Sequence, residues 1–371
     1  MEEYIRRSWV EVNLEQIKKN YQIYKKNVPS ECEIMAVVKA NAYGHGDVEV
    51  ARTLMDIGVR NFAVSNIIEA CRLRENGIKG QILILGYTPI ECMQQIHDEE
   101  ITQAIISEDY ANEIVKTGIR IKGQFAIDTG MNRIGLDAEL LSQCEKTIRR
   151  YKEKLEITGI FTHLCVADSD KAEDIEFTKR QVSRFEILAE KIKDLNLPYI
   201  HCLNSAGGIW HRCGVSVLTR LGIILYGLKP DYSNKLPFGI KPALSWKSVV
   251  AMTQTVRPGE TIGYGRTYKV MKPMKIAIIP TGYADGYNRG LSNNGFVLIN
   301  GKKASIVGRI CMDQFMVDVT NIDNVLTGTE VVLLGESGDI AVTADDMAKL
   351  LETIGYEVVC DISSRVLRIY V

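Results

Sequence analysis

The chain has 371 residues, 46% of them hydrophobic and 25% charged, with 45 Lys and Arg balanced by 46 Asp and Glu. A formal net charge of −1 gives no broad electrostatic reason to bind nucleic acid or an anionic membrane surface. No run approaches the ~18 apolar residues of a membrane span, residues 1–11 lack a secretory apolar core, and the nine cysteines form no Cys-x-x-Cys pair. A cytoplasmic protein with reduced thiols is expected, and the length favours two domains.

The first two thirds alternate short apolar runs with amphipathic stretches. Eight runs read as strands: 34–39, 61–66, 81–86, 102–107, 123–128, 157–164, 199–204 and 215–221. Between them lie predicted helices, among them 14–27 behind an Asn13 cap, 137–154 and 171–194. Strands that alternate with helices must pair in parallel, because a short turn cannot return the chain in the same direction. Eight such units close a (β/α)₈ barrel.

From about Pro230 the rhythm changes to β. Runs at 243–256, 275–282, 295–308, 316–320 and 330–334 are separated by Gly and Pro turns, and only 343–353, after a Thr343 cap, reads as a helix. Asn300-Gly301 between two apolar runs predicts a hairpin, because a type I′ turn needs positive φ at both central positions. The expected organisation is a barrel over 9–235 and a mainly β domain over 236–371, joined by a linker at 227–242, with residues 1–8 joining the β domain.

Barrel enzymes collect their working residues at the C-terminal ends of the strands. The first predicted strand runs directly into Lys39, where desolvation would lower the amine pKa and make it a Schiff-base nucleophile. A rim lysine whose ammonium reaches water fits the same position. The seventh ends at Asn204-Ser205-Ala206-Gly207-Gly208, where a hydroxyl and free amides would cradle a phosphate, and Gly222 after the eighth would let the chain approach the same anion. With a strand-end lysine, this points to a phosphorylated carbonyl cofactor such as pyridoxal 5′-phosphate. Arg133 and His163 follow other strand ends, and His201 and Arg220 fall on neighbouring strands. Five histidines without metal-ligand spacing predict no metal site. In the β domain three Gly-flanked stretches stand out: Gly263-Tyr264-Gly265, Gly282-Tyr283-Ala284-Asp285-Gly286-Tyr287 and Gly308-Arg309-Ile310-Cys311-Met312-Asp313-Gln314. Three such turns in one domain are read as loops shaped to close over something.

Val38-Lys39-Ala40-Asn41-Ala42-Tyr43-Gly44-His45-Gly46 resembles the cofactor-lysine motif of the bacterial alanine racemases. The resemblance spans the chain in order through 128–133, 162–163, 201–205, 220–227, 264–265, 282–286, 309–314 and 363–368. It implies a fold-type III enzyme dependent on pyridoxal 5′-phosphate, with a barrel and a β domain, working as a homodimer on a small amino acid. By this resemblance Lys39 binds the cofactor and serves as one base, and Tyr264 from the partner subunit serves as the other. A racemase needs acid/base groups on both faces of the carbanion. Arg220 would face the pyridine nitrogen, where a permanently charged guanidinium disfavours ring protonation and so favours simple reprotonation. His163 would pack on the ring, His201 would orient Arg220, and Tyr43, Asn204, Ser205, Gly222 and Ile223 would surround the phosphate. Arg133 and Met312 would lie near the substrate carboxylate, with Tyr283 and Asp313 at the entrance.

Three positions depart from the family pattern. A lysine found in many members two residues before the Asp of Asp-Thr-Gly is Ala126 here. The Arg-Val-Pro-Arg near the C-terminus is Arg365-Val366-Leu367-Arg368. The tyrosine expected before that arginine, which narrows the pocket, is Ser364. A small hydroxyl there leaves room and a hydrogen-bond partner beside the substrate side chain, which brings in serine racemization as the alternative to alanine racemization. Serine racemases of the vancomycin-resistance type share the missing tyrosine.

Overall fold

The computed structural model describes residues 7–231 and 233–371. They fall into two compact units, Lys18–Ile240 and a second formed by Lys241–Val371 with the described residues before Lys18.

In the first unit eight strands pair in parallel: Glu33–Val37, Asn61–Val64, Gln81–Ile84, Thr102–Ile105, Lys122–Asp128, Glu156–Phe161, Tyr199–His201 and Leu218–Leu221. The eighth pairs with the first, and a Leu203–Thr219 bridge joins the seventh to the eighth, closing the ring. These strands are near-continuous apolar runs because both faces are covered. Helix starts follow capping chemistry: the Asn66 and Ser107 side chains accept the third-residue amides of helices Ile67–Glu75 and Glu108–Lys116. The predicted helix over 137–154 begins later, at Leu141. Leu136–Asp137 instead pairs in parallel with Ile127–Asp128.

The second unit contains a sheet in the order Lys302–Ser305, Phe296–Ile299, Glu330–Ser337, Leu244–Val249, Ser8–Val12, Leu367–Tyr370, and a smaller one of Met252–Val256, Met274–Ile279 and Phe315–Asp318. Asn300 and Gly301 take φ of 49° and 70°, as the predicted hairpin turn requires. The single run expected over 243–256 is two strands in different sheets. The backbone changes partner at the break, Val250 N–H donating to Thr329 O and Ala251 N–H to Ile278 O. Helix Gly355–Cys360 carries too short a pattern to be read from the sequence.

The division at Ile240/Lys241 lies inside the predicted linker, whereas Trp9–Ile17 go with the second unit rather than the barrel. The cause is strand Ser8–Val12, which pairs antiparallel with Leu244–Val249 and parallel with Leu367–Tyr370. Of residues 1–8, expected to join the β domain, 1–6 lie outside the described residues.

Candidate active site

The strand ends of the first unit enclose a cavity of ≈ 300 Å³ lined by Lys39, Arg133, His163, Arg220 and the apolar Leu85, Ala126, Ile134 and Phe161. Lys39, His163, Arg133 and Arg220, far apart in the chain, are therefore brought together.

Lys39 stands where strand becomes an unusual turn. Ala40, Asn41, Ala42 and Tyr43 all have φ of 53–54°, four consecutive non-glycine residues in the left-handed region. Each such residue costs roughly 1–2 kcal/mol, so the turn must be held by its surroundings. Backbone bonds run from Ala42 N–H to Val38 O and from Gly44 N–H to Ala40 O. Buried His45 donates from Nδ1 to the Ala42 and Tyr43 carbonyls at 3.1 and 2.9 Å. Tyr226 donates to Val37 O at 2.8 Å and packs its ring on Tyr43 and His45. At the entrance to the turn, the Glu69 carboxylate accepts the Ala40 N–H at 2.8 Å and the Ser65 N–H at 2.7 Å.

Arg220 is buried and donates to His201 Nδ1 at 2.8 Å, to Thr162 O at 2.6 Å and more distantly to His163 Nδ1 at 3.4 Å. Since a guanidinium only donates, His201 Nδ1 is an acceptor, and its Nε2–H is given to Gln124 Oε1 at 2.8 Å. Burial pushes Arg220 down to about 10, which leaves it cationic at neutral pH. Desolvation, and then the charges of Arg220, Arg133 and Lys39, push His163 down to about 3, so its ring is neutral. His201 is lowered by the same two causes, burial first and Arg220 second.

Beside this cluster lies a small polar notch. The Gly222 amide donates to Ser205 Oγ at 2.7 Å, and a Cβ at Gly222 would stand 2.8 Å from Tyr43 Oη and 3.5 Å from Ser205 Oγ. Ile223 is buried next to it. Both ends of the Asn204 side chain are in structural bonds, Oδ1 accepting from Gly207 N–H and Nδ2 donating to Leu164 O. Its part in the notch is to shape the chain around Ser205. Hydroxyls from two strand ends and a glycine that leaves room between them fit a phosphate, and the neighbouring lysine fits the carbonyl of a phosphorylated cofactor.

Arg133 is exposed at the cavity mouth. The preceding loop is held by Asp128 Oδ1, which accepts the Gly130 and Asn132 amides. Ala126 is buried with Ala104 and Phe161, against Leu85, Ile106 and Ile134. The position where the resemblance leads one to expect a lysine is thus part of an apolar wall.

In the second unit the Gly-flanked stretches come together. Tyr283 N–H and Ala284 N–H donate to Cys311 O and Met312 O, and a Cβ at Gly282 would come within 2.4 Å of these carbonyls. Gly265 meets the Arg309 guanidinium. The turn bearing Ser364 joins the same group: Ser363 N–H donates to Asp285 O, and Arg365 bonds Asp313 Oδ1 at 2.8 Å. Tyr264, Tyr283 and Met312 are 71%, 43% and 53% exposed, and Tyr264 lies on an open groove with Arg257, Glu260 and Arg266.

Residues 12–230 match the family description "Alanine racemase, N-terminal domain", and residues 243–370 match "Alanine racemase, C-terminal domain". The chain belongs to the alanine racemase family. It is accordingly an isomerase. The alanine racemase of Carboxydothermus hydrogenoformans is 43% identical, the match covering 98% of this chain and 99% of that protein. An amino-acid racemase of Enterococcus faecalis is 37% identical over 97% of this chain but 51% of its own length. The solved alanine racemase of Clostridium difficile 630 superposes with a TM-score of 0.91 at 35% identity, covering 99% of this chain and 96% of that one. That of Bartonella henselae, solved with covalently bound pyridoxal phosphate, gives 0.86 at 29% identity over 98% and 99%.

Glu69 and Gln124 were not singled out in the sequence, and His45 and Tyr226 entered only within the stretches 38–46 and 220–227 that carry the resemblance. Glu69 carried the Asn66-x-x-Glu69 spacing of a capping box, which reads as helix chemistry alone.

Proposed function

We propose that the chain is a pyridoxal 5′-phosphate-dependent racemase interconverting L- and D-alanine through two bases, Lys39 and Tyr264. The observation that carries this reading is the strand-end cavity that joins Lys39 to Arg220, with the Ser205–Gly222–Tyr43 notch alongside. When bound, pyridoxal phosphate supplies an electron sink that acidifies the substrate α-proton. Lys39 removes or returns that proton on one face and the Tyr264 hydroxyl does so on the other. Arg220, which stays charged because its guanidinium does not give up a proton at neutral pH, would face the ring nitrogen of that group, disfavour its protonation and so restrain deeper electron withdrawal. Neutral His163 would pack against that group without adding charge, and His201 keeps Arg220 aligned. Arg133 and the Met312 amide receive the substrate carboxylate, with Tyr283 and Asp313 guarding the entrance.

The working form is proposed as a cytoplasmic homodimer in which the partner subunit provides Tyr264 and Met312. The high exposure of these large side chains in the single chain supports a covering surface. Among the described residues no helix is long and apolar enough to cross a membrane. D-alanine for peptidoglycan is the proposed product.

Serine is the second reading, favoured by the exposed Ser364. The test is kcat/KM for L-alanine and L-serine on the pyridoxal phosphate-loaded protein and on Ser364→Tyr. Alanine leading by about 10²-fold, with Ser364→Tyr nearly silent, supports alanine racemization. Comparable serine turnover that Ser364→Tyr suppresses selectively replaces it with serine or dual racemization. No racemization of either overturns the reading.

A further inference from the structure

We propose that Glu69 is a positioning residue for Lys39, an inference that rests on the reading of Lys39 given above. Glu69 is buried at 9% exposure, at the third position of helix Ile67–Glu75. A glutamate at that position ordinarily reaches back to the amide of its own cap residue. Here it reaches past Asn66. One oxygen accepts the amide of Ser65, which lines the cavity, and the other accepts the amide of Ala40, 29 residues away and directly after Lys39.

The Ala40 amide opens the left-handed turn of Ala40–Tyr43. The exit of that turn is held by His45 and Gly44, and its flank by Tyr226. Glu69 is the side-chain tie at its entrance, beside the residue whose amine must meet both cofactor and substrate. A strained segment keeps one geometry only when its surroundings over-determine it. Two amide donors converge on one side chain, and only a carboxylate has an acceptor oxygen for each. A glutamine has a single acceptor, so one of the two ties is lost with almost no change in volume. Aspartate keeps both acceptors but is one methylene shorter.

The test compares Glu69→Gln with Asn66→Ala in the loaded enzyme. Asn66→Ala removes the cap bond to the backbone amide of Glu69 and leaves both carboxylate ties in place, so it reports loss of helix anchoring without loss of the carboxylate. Glu69→Gln is expected to lower kcat for alanine by about 10²-fold while KM shifts by less than about threefold. It should also change the visible circular dichroism of bound pyridoxal phosphate and the pH dependence of its absorbance. Asn66→Ala should lower thermal stability and leave kcat and dichroism at wild-type values.

A Glu69→Gln protein with wild-type kcat and dichroism overturns the proposal. So does a parallel loss of kcat in both variants at equal loss of stability, since that is the mark of a structural role. If Glu69→Gln does not fold, Glu69→Asp tests reach instead of acceptor number, and wild-type kcat and dichroism in that variant overturn the proposal. A wild-type chain that takes up no pyridoxal phosphate overturns the underlying reading of Lys39 instead, and is seen before any variant is made.

Discussion

Arg220 donates from Nη1 to His201 Nδ1 across 2.8 Å, and both side chains are buried. The bond settles the tautomer of His201, because a guanidinium has no acceptor and the remaining ring proton must go to Gln124 Oε1. It also keeps the imidazole neutral, since a second proton would place two cations in contact.

A pH dependence follows. His163 and His201 both have folded-state pKa values below the unfolded 6.5, His163 at about 3. Below pH 6.5 the unfolded chain takes up protons that the folded chain refuses, so this contribution is whole above that pH and is lost as pH falls. Each histidine should remove up to about 1.4 kcal/mol per pH unit over this window. Denaturant unfolding at pH 7 and pH 5 checks it, with His163→Gln expected to flatten the difference. An equal slope in wild type and variant would remove His163 from the account.

Gly222→Ala should obstruct the notch between Ser205 and Tyr43. The added Cβ would come within 2.8 Å of Tyr43 Oη. Overpacking of this kind costs about 1–3 kcal/mol, or roughly 5- to 150-fold in affinity. The dissociation constant for pyridoxal phosphate, measured on apoprotein, reads it directly. Unchanged affinity would place the phosphate elsewhere.

Tyr264→Phe keeps the ring and removes the hydroxyl of a residue that is 71% exposed. Folding should be untouched. Racemization of alanine should fall by about 10²- to 10⁴-fold, the usual loss for a general acid or base. Tritium or deuterium exchange from each alanine enantiomer shows which face has lost its base; undiminished racemization would end the two-base assignment.

Asp285→Ala should destabilise the second unit. This carboxylate is fully buried, bonds Arg7 at 2.7 Å and accepts the Gly282 amide at 2.9 Å. Removing one partner of a buried ion pair costs about 3–5 kcal/mol, and the partial exposure of Arg7 places this pair near the lower end. Chemical denaturation measures the loss, and a change below about 1 kcal/mol would show that water replaces the carboxylate.

Much of the fold was legible. Each of the eight barrel strands overlaps its apolar run, three of them (Glu33–Val37, Lys122–Asp128 and Glu156–Phe161) starting one residue earlier, and the Asn13, Thr343 and Asn300-Gly301 signals marked real boundaries. These succeed because capping and turn chemistry act within three or four residues. The strand Ser8–Val12 was missed as a partner of both Leu244–Val249 and Leu367–Tyr370, since five residues of pattern cannot show which sheet they join.

By itself the sequence determined the strand–helix alternation, the local caps and turns, and the residue types in each motif, all of which depend on neighbours along the chain. Only the tertiary structure decided that Lys39, His163 and Arg220 share one cavity, that His201 is neutral, and that Glu69 ties Ala40 to Ser65. The reason is physical. A titration state depends on desolvation and on charges from other strands, and four left-handed residues persist only because distant side chains hold them.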